Sequence, residues 1–359
     1  MKLKTLTLAT GFALSAMSAA GVAQADALAT SILDIKNFMI SHTGGAQLNV
    51  ATDFNPGTGG LLTLVDTADI SAKLNAGIQT ASGSSPGAGI DASPVGFPAK
   101  FYASVPGGAP VLSSGAYVNN TFGMNTASTV AAMPSDFALA DQIIEGSPIL
   151  GTPPSVIPVP PTLPASTLGH AGHAAYVNLD SASQDGSSSA NNGLNSTVIF
   201  SLGTGGALTF SFDARAYLEA FTSSLEAFDT SASASYSLAF TLEDLVTGTT
   251  VFEWSPNGPS ISGGTGVAAG EVDPFSLNTA ISRVSPVNGT TVRGAGVGVA
   301  NSGFFSVGTS FALLASNPYQ FTIRSTTTAD ARTRTVPEPA TLALLGLGLL
   351  GLGFSRRRA

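Results

Sequence analysis

From residue 197 onward, apolar and polar positions alternate. Leu208, Phe210 and Phe212 stand on one side of an extended run, with Thr209 and Ser211 on the other. Tyr236, Leu238 and Phe240 repeat the pattern over Ser235–Leu242, as do Phe321 and Ile323 over Tyr319–Ser325. A period of two marks a strand with one buried face. Thr197–Leu202 and Ala207–Phe212 flank the turn Gly203–Gly206 and read as a hairpin. Ser235–Leu242 and Thr249–Trp254 flank a turn at Asp244–Gly248 and read as a second one. Gly303–Leu314 supplies another strand candidate, and Asp213–Leu225 fits either a strand continuing the first hairpin or a short helix. Short strands joined by Gly, Ser, Asn and Pro turns predict an all-β body, a β-sandwich or jelly roll.

The first half carries a weaker signal. Ser31–Ile40 predicts a strand, although Leu28, Ile32, Ile35 and Met39 also match helical spacing. Leu61–Val65 predicts a strand. Ser135–Glu145 predicts a short helix, with Ser135 as its cap and Phe137, Ala140 and Ile144 on one face. Residues 81–98 and 181–196 are rich in Gly, Ser and Asn and predict loops. Residues 147–166, SPILGTPPSVIPVPPTLPAS, favour polyproline II. They are either a linker or a long loop lying over one domain. The expected body therefore has an N-terminal part at 26–146 and a sandwich part at 167–335. No fixed-period repeat is present.

The two ends break the pattern. Lys2 and Lys4 precede an apolar run from Leu6 to Ala20, and Ala23-Gln24-Ala25 forms a small-x-small site before Asp26. This is the layout of a signal peptide, with a helix over 1–25 and cleavage between Ala25 and Asp26. Its partners are the Sec translocon and signal peptidase. At the other end Pro337, Glu338 and Pro339 precede an apolar run from Ala340 to Phe354, which Arg356, Arg357 and Arg358 close. The prolines hold their stretch extended. As a single transmembrane helix the apolar run is about 22 Å long at 1.5 Å per residue. The arginines stay cytoplasmic by the positive-inside rule, which leaves the body outside the inner membrane.

Residues 336–359 resemble the PEP-CTERM sorting signal of Gram-negative bacteria: proline-glutamate-proline, short glycine-rich apolar segment, arginine cluster, chain end. The resemblance implies that exosortase, a transpeptidase-like membrane enzyme, recognises Pro337, Glu338 and Pro339. It then cuts near them and releases or re-anchors the body. The body is loosely similar to exosortase-dependent surface-associated proteins in its LATSILDIKNFMI, LEDLVTGTTVFEW and YQFTI stretches. Within the tail, Gly346, Gly348 and Gly351 match G-x-G-x-x-G, but no strand or acidic partner surrounds them, so they carry no dinucleotide reading.

Composition narrows the classes further. Of 359 residues only 10% are charged, and none is cysteine. Setting aside Lys2, Lys4, Arg356, Arg357, Arg358 and Glu338, the body carries 9 basic and 21 acidic residues, a net charge of −12. There is no basic footprint for nucleic acid. Disulfide scaffolds, zinc fingers and cysteine nucleophiles are excluded, and the missing cysteines suit an exported bacterial protein.

Candidate chemistry is sparse. His170 and His173 would share a metal on a helix, but Gly169 and Gly172 argue for an ordinary polar loop. Ser181, Ser183 and Asp185 have the alternate spacing of a calcium loop without its distal Glu, so calcium is the one candidate cofactor and the expectation is none. Glu243, Glu253 and Asp273 are the carboxylates from which a glycosidase pair would be drawn. Glu243 and Asp244 equally suit a turn that binds backbone amides. No nucleophile elbow or P-loop is present. Trp254 ends a strand beside a turn, where a lone tryptophan either packs in the core or stacks on a sugar ring. The sequons at Asn119, Asn195 and Asn288 are read as coincidental.

The expectation is a non-enzymatic exported protein. It is first an inner-membrane-anchored precursor, then sorted by exosortase to the cell surface or an exopolysaccharide (biofilm) matrix. The alternatives are a carbohydrate-binding module working through Trp254, or a secreted glycoside hydrolase.

Overall fold

The computed structural model describes residues 26–43, 63–74, 77–86, 137–145, 169–179, 186–223, 228–260, 263–287, 289–296 and 300–335. Ala23 and Ala25, Asp185, the proline-rich stretch 147–166, Pro337 to Pro339 and Arg356 to Arg358 lie outside these residues. So do the expected signal and transmembrane helices. Among the described residues no helix is long and apolar enough to cross a membrane.

Every regular element described is a strand, as the alternation predicts. They are β1 (Asp26–His42), β2 (Thr63–Leu74), β3 (Gly77–Pro86), β4 (Phe137–Glu145), β5 (Gly169–Leu179), β6 (Ser187–Ser201), β7 (Leu208–Ser223), β8 (Phe228–Asp244), β9 (Thr249–Trp254), β10 (Thr279–Val284), β11 (Gly289–Arg293), β12 (Asn301–Gly308) and β13 (Pro318–Thr335). Two antiparallel sheets result. Sheet A runs β11-β7-β1-β5-β4, with β12 beside β11 along the same edge of β7. Sheet B runs β10-β8-β13-β6-β2-β3, with β9 also on β8. Strands from either side of the proline-rich stretch interleave: β1 lies between β5 and β7, and β2 pairs with β6.

The sheets face each other across a core with two zones. One is aromatic. Phe38 of sheet A stacks on Phe240 of sheet B at 6.0 Å, and Phe210 stacks on Phe321 at 4.5 Å. Phe212 stacks on Phe305 at 5.1 Å. Offset ring packing of this kind adds to the area term. The other zone, towards Asp26 and Thr335, is small and polar. There the Ser31 hydroxyl donates to the Ser235 carbonyl at 2.7 Å, and the Asn192 amide donates to Thr327 at 2.9 Å. Buried His173 and Ser325 are hydrogen-bonded at 2.7 Å. Each bond satisfies a group that would otherwise be costly to bury.

Four local expectations are corrected. Residues 203–207 do not close a hairpin: β6 pairs with β13 and β2 in sheet B, whereas β7 pairs with β1 in sheet A. The chain crosses between the sheets there. The Gly206 and Leu313 backbones bond each other in both directions, and a Cβ on Gly205 would lie 2.6 Å from the Leu313 carbonyl oxygen, so glycine is required. Ser135–Glu145 does not form a helix; Phe137–Glu145 is β4, hydrogen-bonded along β5. The expected loops at 81–98 and 181–196 are partly strand, β3 reaching Pro86 and β6 starting at Ser187. The strand candidate Gly303–Leu314 ends at Gly308. Asp213–Leu225 resolves as strand: β7 runs unbroken to Ser223. The second hairpin stands, as β8 and β9.

Candidate functional site

Trp254 belongs to the core. It is 1% exposed, 5.3 Å from the Phe240 ring and 6.1 Å from Phe212. Of the two readings of a lone tryptophan, core packing holds, and the sugar-stacking alternative has no open ring face to work through. On β9, Trp254 falls on the same inward face as Phe252, because alternation sends Glu253 outward.

The metal candidates do not assemble on one helical face. His170 and His173 sit on β5, a strand and neither the helix that sharing a metal required nor the expected polar loop. His173 is buried between the sheets against Ser325. Among the described residues, no group of three or more His, Asp or Glu is placed to hold a metal.

Of the carboxylates, Asp244 is a turn residue. Its Oδ1 accepts the Val246 amide at 2.8 Å and the Thr247 amide at 3.3 Å. Asp273 is buried, and its Oδ2 accepts the Gly258 amide at 2.7 Å. Burial pushes its carboxyl above the usual range, against the lowering effect of the Gly258 and Asn257 amides. Glu253 lies opposite Thr241 on the outward face of the β8–β9 hairpin, with Glu243 two positions along. That diagonal corresponds to about 7–8 Å between backbones.

A cleft that sequence reasoning missed lies on the outward face of sheet A. Its volume is about 400 Å³, and its lining includes Asp34, Lys36, Asp213, Arg215, Ser302 and Phe304. It is built on a bulge. Lys36 pairs with Asp213 and Met39 with Ser211, so β1 carries one extra residue against β7. A bulge re-aims side chains locally. Asn37, the extra residue, has φ 56°, a left-handed conformation that asparagine tolerates well. Its side-chain amide donates to Asp213 Oδ2 at 2.7 Å. Asp34, 3% exposed, faces both Lys36 Nζ at 3.4 Å and Arg215 Nη2 at 3.5 Å. No motif marks this group in the sequence. The one available hint is Lys36-Asn37, a polar pair interrupting an apolar strand.

The third strand of the cleft is β12. Phe304 lies directly across from Asp213, and Ser302 across from Arg215. Between them Gly303 faces inward, where a Cβ would approach Pro274 to 2.8 Å. Phe304 is 52% exposed and is the only aromatic among the exposed large apolar side chains described.

Comparison with known proteins locates function in the tail. Residues 335–358 match the PEP-CTERM protein-sorting motif. The chain, all-β over its described residues, thus carries an exosortase sorting signal, which implies export and sorting to the cell surface. No curated protein matches it. Among solved structures, it aligns with the structure of infectious bursal disease virus Gt strain at 8% identity, over 90% of this chain and 85% of that one, with a TM-score of 0.09. The Gx strain structure aligns at 9% identity over 89% and 80%, with a TM-score of 0.08. Neither likeness carries an argument about fold or function.

Proposed function

We propose that the chain is a binding or structural component of the cell surface or exopolysaccharide matrix, with no catalytic role. It is made with a signal peptide, exported through the Sec translocon and held briefly in the inner membrane by its tail. Exosortase then processes it at Pro337, Glu338 and Pro339. The sorting motif at 335–358 carries this reading. The acidic, sparsely charged body supports it, since such a surface stays soluble and does not attract anionic lipid or nucleic acid.

Disruption of the exosortase tests the route. In the intact strain the mature protein is expected to lack the tail mass and to appear at the surface or in the matrix. In the disrupted strain the tail stays attached and the protein stays in the inner membrane. Unchanged mass and location would overturn the proposal. The non-catalytic part predicts that the protein releases no new reducing ends from the host's exopolysaccharide.

A further inference from the structure

The cleft at the β1 bulge combines features that specify a ligand chemistry. Three adjacent strands, β12, β7 and β1, present two parallel rows on the outward face of sheet A: Phe304, Asp213 and Lys36 in one, Ser302, Arg215 and Asp34 in the other. Directly opposed residues on neighbouring strands stand about 4.5–5.5 Å apart. An exposed aromatic ring therefore adjoins a carboxylate and a cation on three hydrogen-bonded strands.

Among the described lining residues the charges balance, Asp34 and Asp213 against Lys36 and Arg215. Asp34 holds both cations near itself, at 3.4 and 3.5 Å. A site for an anion would leave that positive charge unopposed; here it is already neutralised. Asn37 donates to one oxygen of the Asp213 carboxylate and fixes its orientation on the cleft wall. The ligand that fits offers an apolar face to Phe304 and hydroxyl donors at its edge to Asp213, and carries no net charge. A pyranose ring has that anatomy: axial C–H bonds on one face, equatorial hydroxyls around the rim. The negative π face of an aromatic ring attracts such C–H bonds. A volume of about 400 Å³ falls in the ordinary range of small-molecule sites. A single exposed ring is too small a patch to hold a protein partner, which needs about 800 Å² on each side.

We propose that this cleft is a glycan-binding subsite in which Phe304 stacks on a neutral hexose unit, Asp213 accepts its hydroxyl protons, and the bulge at Asn37 holds the carboxylate in place. The inference rests on the matrix-associated reading and assigns a site to it.

The test uses the full-length chain in a zwitterionic detergent without a sugar headgroup. Binding is measured on an array of neutral and uronic-acid oligosaccharides that includes fragments of the host's own exopolysaccharide. Wild type is expected to bind neutral members. Phe304→Ala weakens that binding at least tenfold, Asp213→Asn weakens it severalfold, and Phe304→Trp retains it. Thermal melting of each variant checks folding, which is expected to be unchanged because Phe304 is half exposed. Neutral-glycan binding that Phe304→Ala leaves intact would overturn the subsite while the matrix reading stands. Binding confined to acidic glycans would do the same. No binding to any glycan would also overturn the subsite, whereas the sorting reading falls only if exosortase disruption leaves mass and location unchanged.

Discussion

Trp254 shows how little a side chain's type says about its role. Its position before a turn suits an exposed ring, yet it closes the aromatic zone between Phe212 and Phe240. Phe304, an ordinary strand phenylalanine by pattern, is the exposed ring. Trp254→Ala is therefore expected to lower stability by about 3–5 kcal/mol, as for other large aromatic truncations in cores. Denaturant unfolding measures the loss; a loss under about 1 kcal/mol would mean the ring is not packed as described. Asp273 yields a pH prediction. Its carboxyl is raised above 3.8 by burial, so its contribution to stability is full below that value and lost as pH rises through the raised pKa. Asp273→Asn keeps an acceptor for the Gly258 amide and removes the titration. Its melting temperature should fall less than that of wild type as pH rises from about 4. Parallel pH profiles for the two proteins would refute this.

At the scale of elements, alternation made several strands legible. The rest of the topology was not. Residues 181–196 look like a loop because their inward positions include Ser188, Ala190, Asn192 and Ser196. These are small or polar side chains that a central strand accommodates only when a neighbouring strand supplies partners such as Thr327 of β13. Phe137–Glu145 has helical spacing, but β5 offers a row of backbone partners, and such pairing outweighs propensities of a few tenths of a kcal/mol per residue. The bulge gives the element-scale prediction. Ile35 and Phe38 both face the core, with Lys36 and Asn37 between them. Deleting Asn37 restores strict alternation without moving Phe38 or Ile40 to the wrong face. The deletion variant is expected to fold with a melting temperature within a few degrees of wild type and to lose the bond to Asp213. Circular dichroism with thermal melting decides it; loss of the β spectrum would show that the bulge is required for the fold.

At the scale of the whole molecule, the ends of the body come together. Asp26, the expected first mature residue, opens β1, and Thr335, where the sorting motif begins, closes β13. Ser31 meets Ser235, whose partner on β13 is Thr328, while Phe38 meets Phe321. The two strands thus run in opposite directions across the core, and Asp26 and Thr335 lie at the same end. The turn at Asp244–Gly248 lies at the other. On β7, Asp213 is ten residues from Ser223, about 33 Å at 3.3 Å per residue. A tail inserted in the inner membrane would place the sandwich upright, with the cleft well clear of the lipid surface. The chain has no cysteine, so single cysteines at Asp229 and Val246 can carry a fluorophore without background. In the unprocessed precursor, spin-labelled lipid headgroups are expected to quench the label at Asp229 and spare that at Val246. Equal quenching at both sites would refute an upright body.

The sequence by itself determined the all-β class, the β8–β9 hairpin and the sorting signal. Each is written in contiguous residues: a period of two, a turn between two runs, a tripartite tail. Tertiary structure alone decided which strands share a sheet, where the chain crosses at 203–207, why Trp254 is buried, and how Asp34, Lys36, Asp213, Arg215 and Phe304 meet. Lys36 and Phe304 are far apart in the chain and share a cleft because β7 lies between their strands. Alternation along a strand tells a residue's face. Its neighbours across the sheet are set by pairing and register, which depend on the packing of the entire core.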